Sequence, residues 1–267
     1  VNLYNLRKII TIKYFSNYDF KRHLKPMMTF FITTIAVAFY VNVSVALLGF
    51  IQGNEEVGYY NAAYRIKDVM VSIVTSLGAV LLPRLSYYIE NNMWDKFNNI
   101  LSKSTQFIFI LSLPLVVFCI LFAKPSVLIL AGSAYSGSII PLQVLALIIF
   151  IVGLSNLTGI QMLIPLKKEK YLCYSVVIAA VINMVLNLIL IPEYGAIGAA
   201  VSVMVAESSI LIYQIYILRA YSQVLFGGIS YMRIIMALTL AISVSIWLNI
   251  NLSYNEIIVF LVSASLF

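Results

Sequence analysis

Val57–Arg84 reads VGYYNAAYRIKDVMVSIVTSLGAVLLPR. From Asn61 to Leu82 it is long and apolar enough to cross a bilayer as one helix. Its early turns nevertheless carry Arg65, Lys67 and Asp68. Charge inside a membrane helix is costly unless it is paired or wetted. The stretch therefore reads as a helix lining a wet cavity, with the other spans as walls.

The rest of the chain supports that class. Hydrophobic residues make up 62% of the 267 positions and charged residues 10%, against about 25% charged in a soluble domain. No soluble core of this length hides so much apolar surface, which leaves a polytopic, all-α membrane protein. The net charge is +7, but the cations sit in short segments between apolar spans. That is a topology signal rather than the aromatic-interleaved basic face of a nucleic-acid binder. Cys119 and Cys173 fall within predicted spans and suggest neither a disulfide framework nor a metal site. The lone His23 sits among Lys21, Arg22 and Lys25, where solvent or lipid headgroups hold it.

Residues 1–26 form a basic, aromatic-containing segment suited to the cytoplasmic interface or to a linker. Residues 27–267 form a helical bundle of about seven complete spans and one truncated span. The spans run Met27–Ile51, Asn61–Leu82 (ending at Pro83), Thr105–Phe122 (kinked at Pro114), Ile139–Ile164, Tyr171–Ile191, Ala196–Leu218 and Met232–Ile250. Pro26 sits at the start of the first. Between the second and third, Met93–Ser104 has the apolar spacing of a short surface helix. Ala123–Ser138 reads as a short interfacial helix and a turn, and Pro192–Gly195 as a tight turn. The eighth apolar run starts near Ile257 and stops at Phe267, too short to span. With Val1 at the start, the chain reads as a fragment of a longer protein.

Assigning alternate loops to opposite sides tests this division. One side collects the six cations before the first span, then Arg84, Lys96, Lys103, Lys167, Lys168, Lys170, Arg219 and Arg233. The other collects Lys124 alone, with Glu55, Glu56, Glu193 and Glu256. Such a bias supports the span count and puts the N-terminal end in the cytoplasm.

No enzyme constellation is visible: no catalytic residue set, no phosphate loop and no metal-ligand spacing. Four charged residues stand out. Arg65 and Asp68 are i,i+3 neighbours that could pair on one face. Lys67 points well away from Arg65, so one of the two can face the cavity. All three lie in the outer third of their span. Their competing reading is headgroup depth, where they would only orient the helix. Glu207 lies near mid-span in the sixth helix with no neutralising neighbour one turn away. It is a candidate for ion coupling, against a protonated acid or a carboxylate paired with another helix. Asn42, Asn183 and Asn187 are candidates for the polar wall of the cavity, with interhelical hydrogen bonding as the competing reading. Glu55 and Glu56 read as solvated surface.

NEEVGYYNAAYRIKDVMVSIVTSLGAVLLPRLS (Asn54–Ser86) resembles a helix pair of bacterial oligosaccharide repeat-unit flippases. These are the Wzx-type polysaccharide exporters of the multidrug/oligosaccharidyl-lipid/polysaccharide superfamily. The likeness continues through Gly159–Glu207, GIQMLIPLKKEKYLCYSVVIAAVINMVLNLILIPEYGAIGAAVSVMVAE, and in HLKPMMTFF (His23–Phe31). The resemblance implies a MATE-like fold of two bundles around a central cavity, this chain supplying the C-terminal bundle. It implies movement of undecaprenyl-diphosphate-linked sugars across the bacterial inner membrane by alternating access, for O-antigen, capsule or exopolysaccharide. Coupling to Na+ or H+, with no organic cofactor, goes with it. So do contacts with membrane lipids and with a polysaccharide polymerase and other assembly proteins. Arg65 and Lys67 would then attract the diphosphate, Asp68 would hold Arg65 and Glu207 would couple the ion. Relatives of this kind often carry an acidic–basic pair in the first helix, where this chain has Ser44-Val45 after Tyr40. That departure shifts weight to Arg65, Asp68 and Glu207. The alternatives are a cation-coupled multidrug exporter of the same superfamily, with a cavity richer in acids and aromatics, and a non-transporting scaffold of polysaccharide assembly.

Overall fold

A computed structural model describes residues 20–243, apart from 233, 237 and 241. The basic segment before residue 20, most of the seventh span and the truncated eighth lie outside the described residues. Among those described, five helical stretches are long and apolar enough to cross a membrane, and the protein is a multi-pass membrane protein.

The first helix, α1 (Phe20–Ile51), starts ahead of Pro26, so the proline lies inside it and not at its start. The second stretch differs more from expectation. Helix α2 (Asn54–Thr75) stops well before Pro83, and α3 (Gly78–Glu90) contains that proline. The break falls where hydroxyls crowd the end of α2. Ser72 donates to the Val69 carbonyl, Thr75 to Val71 and Ser76 to Ile73. Such back-bonding competes with the helix ladder and bends it. Gly78 then lets the chain approach its neighbours. A Cβ there would lie 2.6 Å from Nε2 of Gln161 and 2.9 Å from Oδ1 of Asn156.

Met93–Ser104 is not a separate surface helix. Its residues from Trp94 onward form the first turns of α4 (Trp94–Leu121), which continues unbroken through the expected third span. The apolar positions that suggested an amphipathic helix, Phe97 and Leu101, are buried in the core. Helix α5 (Ala123–Leu130) and a 3-10 turn (Ser133–Ser138) match the expected short helix and turn. Helix α6 (Ile139–Asn156) runs into a π-helical segment (Leu157–Leu163). Apolar almost all round, α6 occupies the centre, against α2, α4 and α7.

Helix α7 (Glu169–Ile217) contains the expected fifth and sixth spans, joined at Gly195 with φ +52° and ψ −127°. This left-handed conformation favours glycine. The chain doubles back there: Gln214 donates to Ser175 across the two arms at 3.3 Å. The outer turn is held by α1 and α2. Gln52 donates to the carbonyls of Ile191 and Pro192, and the Glu56 carboxylate accepts the Ala196 N–H at 2.6 Å. Glu56 therefore caps the start of the second arm, where helix dipole and free N–H groups favour an anion. A short helix, α8 (Ser222–Phe226), follows and packs on α4.

These contacts sort the loops into the two expected ends. Gln52, Glu56 and Gly195 meet at one, while Phe97 meets Tyr221 edge to face and Gln106 donates to the Gly228 carbonyl at the other. Cys119 and Cys173 are buried and free.

Candidate functional site

Three elements run away from the Gln52–Gly195 end, and their polar residues fall at one depth. Tyr40 lies eleven residues before the end of α1, Lys67 thirteen after the start of α2 and Glu207 twelve after Gly195. At 1.5 Å per residue that is roughly 17, 20 and 18 Å. Because α2 begins at Asn54 and not Asn61, its charged turn sits near mid-helix, deeper than the outer third.

At that depth Tyr40 and Glu207 touch. The Tyr40 hydroxyl donates to Glu207 Oε1 at 2.7 Å. Lys67 is buried, its ammonium 3.7 Å from the Tyr64 ring centre and 3.5 Å from Asp68 Oδ1. Asp68 is the one carboxylate within ion-pair distance of Lys67 among the described residues. Tyr60 adds a buried hydroxyl that has no hydrogen-bond partner among the described residues. Tyr40 packs into the groove of the α7 hairpin against Val176, Ala179, Ala180, Ala206 and Ile210. The small residues let the helices approach closely enough for the phenol to cross from one to the other.

Glu207 thus finds on α1, in Tyr40, a partner it lacks on its own helix. Asp68 pairs with Lys67, not with Arg65 as its i,i+3 spacing suggested. Tyr64, between them on the helix surface, offers its ring to the ammonium and steers Lys67 toward Asp68.

Arg65 faces elsewhere. It is exposed and borders a groove of about 580 Å3 between α2 and the α5 turn, with Asn61, Ile66, Leu130 and Tyr135. Arg65, Asp68, Ser72 and Ser76 are exposed along one side of α2, with Asn61 half-buried in line with them. Their spacings of three and four residues make one continuous polar stripe down a membrane-length helix.

The asparagines divide. Asn42 is exposed on α1, its amide turned back to the Ala38 carbonyl at 2.6 Å. Asn183 and Asn187 are fully buried on the first arm of α7. Asn187 donates to Asn183 Oδ1 and to Ser44, both at 2.9 Å, and Ser44 lies 3.2 Å from Asn183 Oδ1. This neutral cluster ties α1 to the first arm, one turn along from where Tyr40 reaches the second. Tyr40, Tyr60, Tyr64 and Ser44 are the site residues sequence reasoning missed. The signal lay in equal distances from one set of turns, which brings Tyr40 level with Glu207 and Lys67. Among the described residues, no group of three or more His, Cys, Asp or Glu is placed to hold a metal ion.

Comparison with known proteins fits this architecture. The chain is 27% identical over 192 residues to a "Putative O-antigen transporter" of Escherichia coli (strain K12), covering 72% of this chain and 46% of that one. It is 24% identical over 176 residues to a "Probable low-salt glycan biosynthesis flippase Agl15" of Haloferax volcanii, covering 64% and 36%. The chain therefore spans less than half the length of these relatives. Its fold matches the solved "Lipid II flippase MurJ, inward closed conformation", with a TM-score of 0.65 at 17% identity, over 97% of this chain and 57% of that one. The description of one family, polysaccharide biosynthesis protein, matches residues 3–140. That is more than half of the sequence, and the chain belongs to the polysaccharide biosynthesis protein family.

Proposed function

We propose that this chain is part of a flippase that moves lipid-linked oligosaccharides from the cytoplasmic to the outer leaflet of the bacterial inner membrane by alternating access. The observation that carries the proposal is the polar stripe of α2, exposed from Arg65 through Asp68 and Ser72 to Ser76 with the half-buried Asn61 in line. A lipid-facing helix would not keep an unpaired guanidinium and a row of hydroxyls on its open side. A diphosphate-linked sugar needs both, a cation for the phosphates and polar groups for the sugar, with the polyprenyl tail left in lipid. Relatives named as O-antigen transporter and glycan flippase support this reading over a drug exporter.

The substrate is an undecaprenyl-diphosphate-linked repeat unit destined for O-antigen, capsule or exopolysaccharide. A polymerase and other assembly proteins act next to it. The end bearing Arg84, Lys96, Lys103, Lys167, Lys168, Lys170 and Arg219 faces the cytoplasm, by the positive-inside rule. Arg65 meets the diphosphate on the open side of α2, and Glu207 couples transport to Na+ or H+.

The test is Arg65→Ala in the full-length protein, with surface polysaccharide measured at matched protein level. A charged hydrogen bond to phosphate is worth about 1.5–3 kcal/mol, so polymer export is expected to fall by about tenfold or more. Normal export would overturn the role of Arg65.

A further inference from the structure

The groove beside Arg65 has a second wall that lies outside α2. On α2 it runs from Gly58 to Val69, eleven residues and roughly 16 Å along the helix. Its volume of about 580 Å3 suits a ligand larger than a diphosphate. Opposite α2 it is closed by Leu130 at the end of α5, Ala131 and Tyr135 of the 3-10 turn. Two close approaches lock that turn to α2. The Tyr59 ring covers Gly137, where a Cβ would lie 2.7 Å from the ring, and a Cβ on Gly58 would lie 3.4 Å from Tyr135 Cε1. The Tyr59 hydroxyl is held in turn, donating to Glu55. Tyr135 is thus set against the backbone of α2 with 38% of its surface open.

Asn61 lines the same groove one turn from Arg65. Neither makes a hydrogen bond or ion pair with another described residue. Beyond Arg65 on the stripe, Asp68 pairs with Lys67, and Ser72 and Ser76 donate to carbonyls of their own helix. On the stripe, Asn61 therefore keeps what the others do not, free donors together with a free acceptor.

We propose that the Gly58–Arg65 half of this groove is a sugar subsite. Arg65 holds the diphosphate, and the pyranose joined to it lies against the Tyr135 ring with its polar substituents on Asn61. This rests on the flippase reading above and names the residues that choose the sugar. A pyranose has an apolar C–H face and a polar rim, and the groove offers one partner for each. Tyr135 supplies a broad contact surface at low entropy cost. Its setting against Gly58, in a turn held by Tyr59 over Gly137, lowers the cost of ordering it on binding. Asn61 sets the selectivity, because a site built to hydrogen-bond a substituent rejects the analogue that lacks it. Discrimination between sugars thus sits beside Arg65, apart from the charge that meets every diphosphate alike.

The experiment compares two probes on the full-length protein in nanodiscs: farnesyl diphosphate, and farnesyl diphosphate with N-acetylglucosamine on its outer phosphate. Wild type is expected to bind the sugar-bearing probe about three- to tenfold more tightly, a comparison that needs no variant to fold. Y135A is expected to equalise the two affinities, while Y135F, which keeps the ring, retains most of the difference. N61L is expected to narrow it. R65A is expected to weaken both probes together and leave their ratio as it was. Equal affinities in wild type, or a ratio unchanged in both Y135A and N61L, would overturn the subsite while leaving the role of Arg65 in place. A wild type that binds neither probe would remove the flippase reading and the subsite with it.

Discussion

Two polar clusters sit one turn apart on α1 and differ in kind. Ser44, Asn183 and Asn187 form a neutral set whose hydrogen bonds run mostly among themselves. Tyr40 with Glu207 joins α1 to the second arm of α7, and at the same depth Lys67 with Asp68 forms an ion pair that opens onto the stripe of α2. Both lie in a bundle where polar groups are costly to leave unpaired. The amides hold α1 on the first arm, with Asn183 Nδ2 and Asn187 Oδ1 left buried without a hydrogen-bond partner among the described residues. The charged residues instead pair a buried Lys67 with an exposed Asp68 at the edge of the stripe, which suits them to respond to an incoming anion.

Mutations can break or sharpen that contrast. The largest effect is expected from Lys67→Met, which strips Asp68 of its ion-pair partner and takes the one buried cation among the described residues from the depth of Glu207. Polysaccharide export should be lost, and thermal unfolding in detergent should show about 1–3 kcal/mol of lost stability, the lower range reflecting half-exposed partners. The double variant Lys67→Met with Glu207→Leu should regain much of that stability but none of the export, since an apolar pair packs where a lone charge cannot. If the double variant exported normally, the charged cluster would be a structural tie like the neutral one.

Asn187→Leu comes next. It removes donors to Ser44 and Asn183, and interhelical hydrogen bonds of this kind are worth about 0.6 to 1.7 kcal/mol. Stability should fall by that amount while export per molecule is retained. Gly78→Ala forces a methyl group against Gln161, 2.6 Å away, and should lower stability by about 1 kcal/mol. Ser44→Ala should be the mildest, at about 0.5 kcal/mol or less, with export unchanged. Export lost in Asn187→Leu at normal protein level would mean that the neutral cluster also takes part in transport.

Much of this fold was legible in the sequence. Apolar run lengths gave the spans, lysine and arginine placement gave the two ends, and Pro192–Gly195 marked the hairpin. These are local signals with a physical reading at each residue. The break at Ser76–Gly78 was harder, because Pro83 looked like the stronger helix breaker. Three hydroxyls bonding back into α2 and the contact of Gly78 with Gln161 moved the break upstream. Phe97 and Leu101 have the spacing of the apolar face of a surface helix, since nothing local says that the same face packs into the bundle. The charged residues of the site were visible one by one, and their partners were not. Arg65 with Asp68 is the pairing that helix spacing favours, yet the Tyr64 ring and the reach of Lys67 decide otherwise. Tyr40 gave no signal of its own, because a tyrosine in a membrane helix is ordinary and its partner lies 167 residues away.

The central claim is that α2 faces water along its polar stripe, while the apolar groove that Ile35, Phe39, Val181 and Val185 line between α1 and the first arm of α7 faces lipid. Single cysteines at Ser72 and Ser76, and at Val181 and Val185 on the apolar side, test it in a full-length background with Cys119 and Cys173 replaced by alanine. The measurement is labelling by a charged, membrane-impermeant thiol reagent. The account predicts that the Ser72 and Ser76 positions label, that farnesyl diphosphate protects them, and that the Val181 and Val185 positions stay unlabelled. Unlabelled cysteines on both faces, or equal labelling of both without protection, would contradict it.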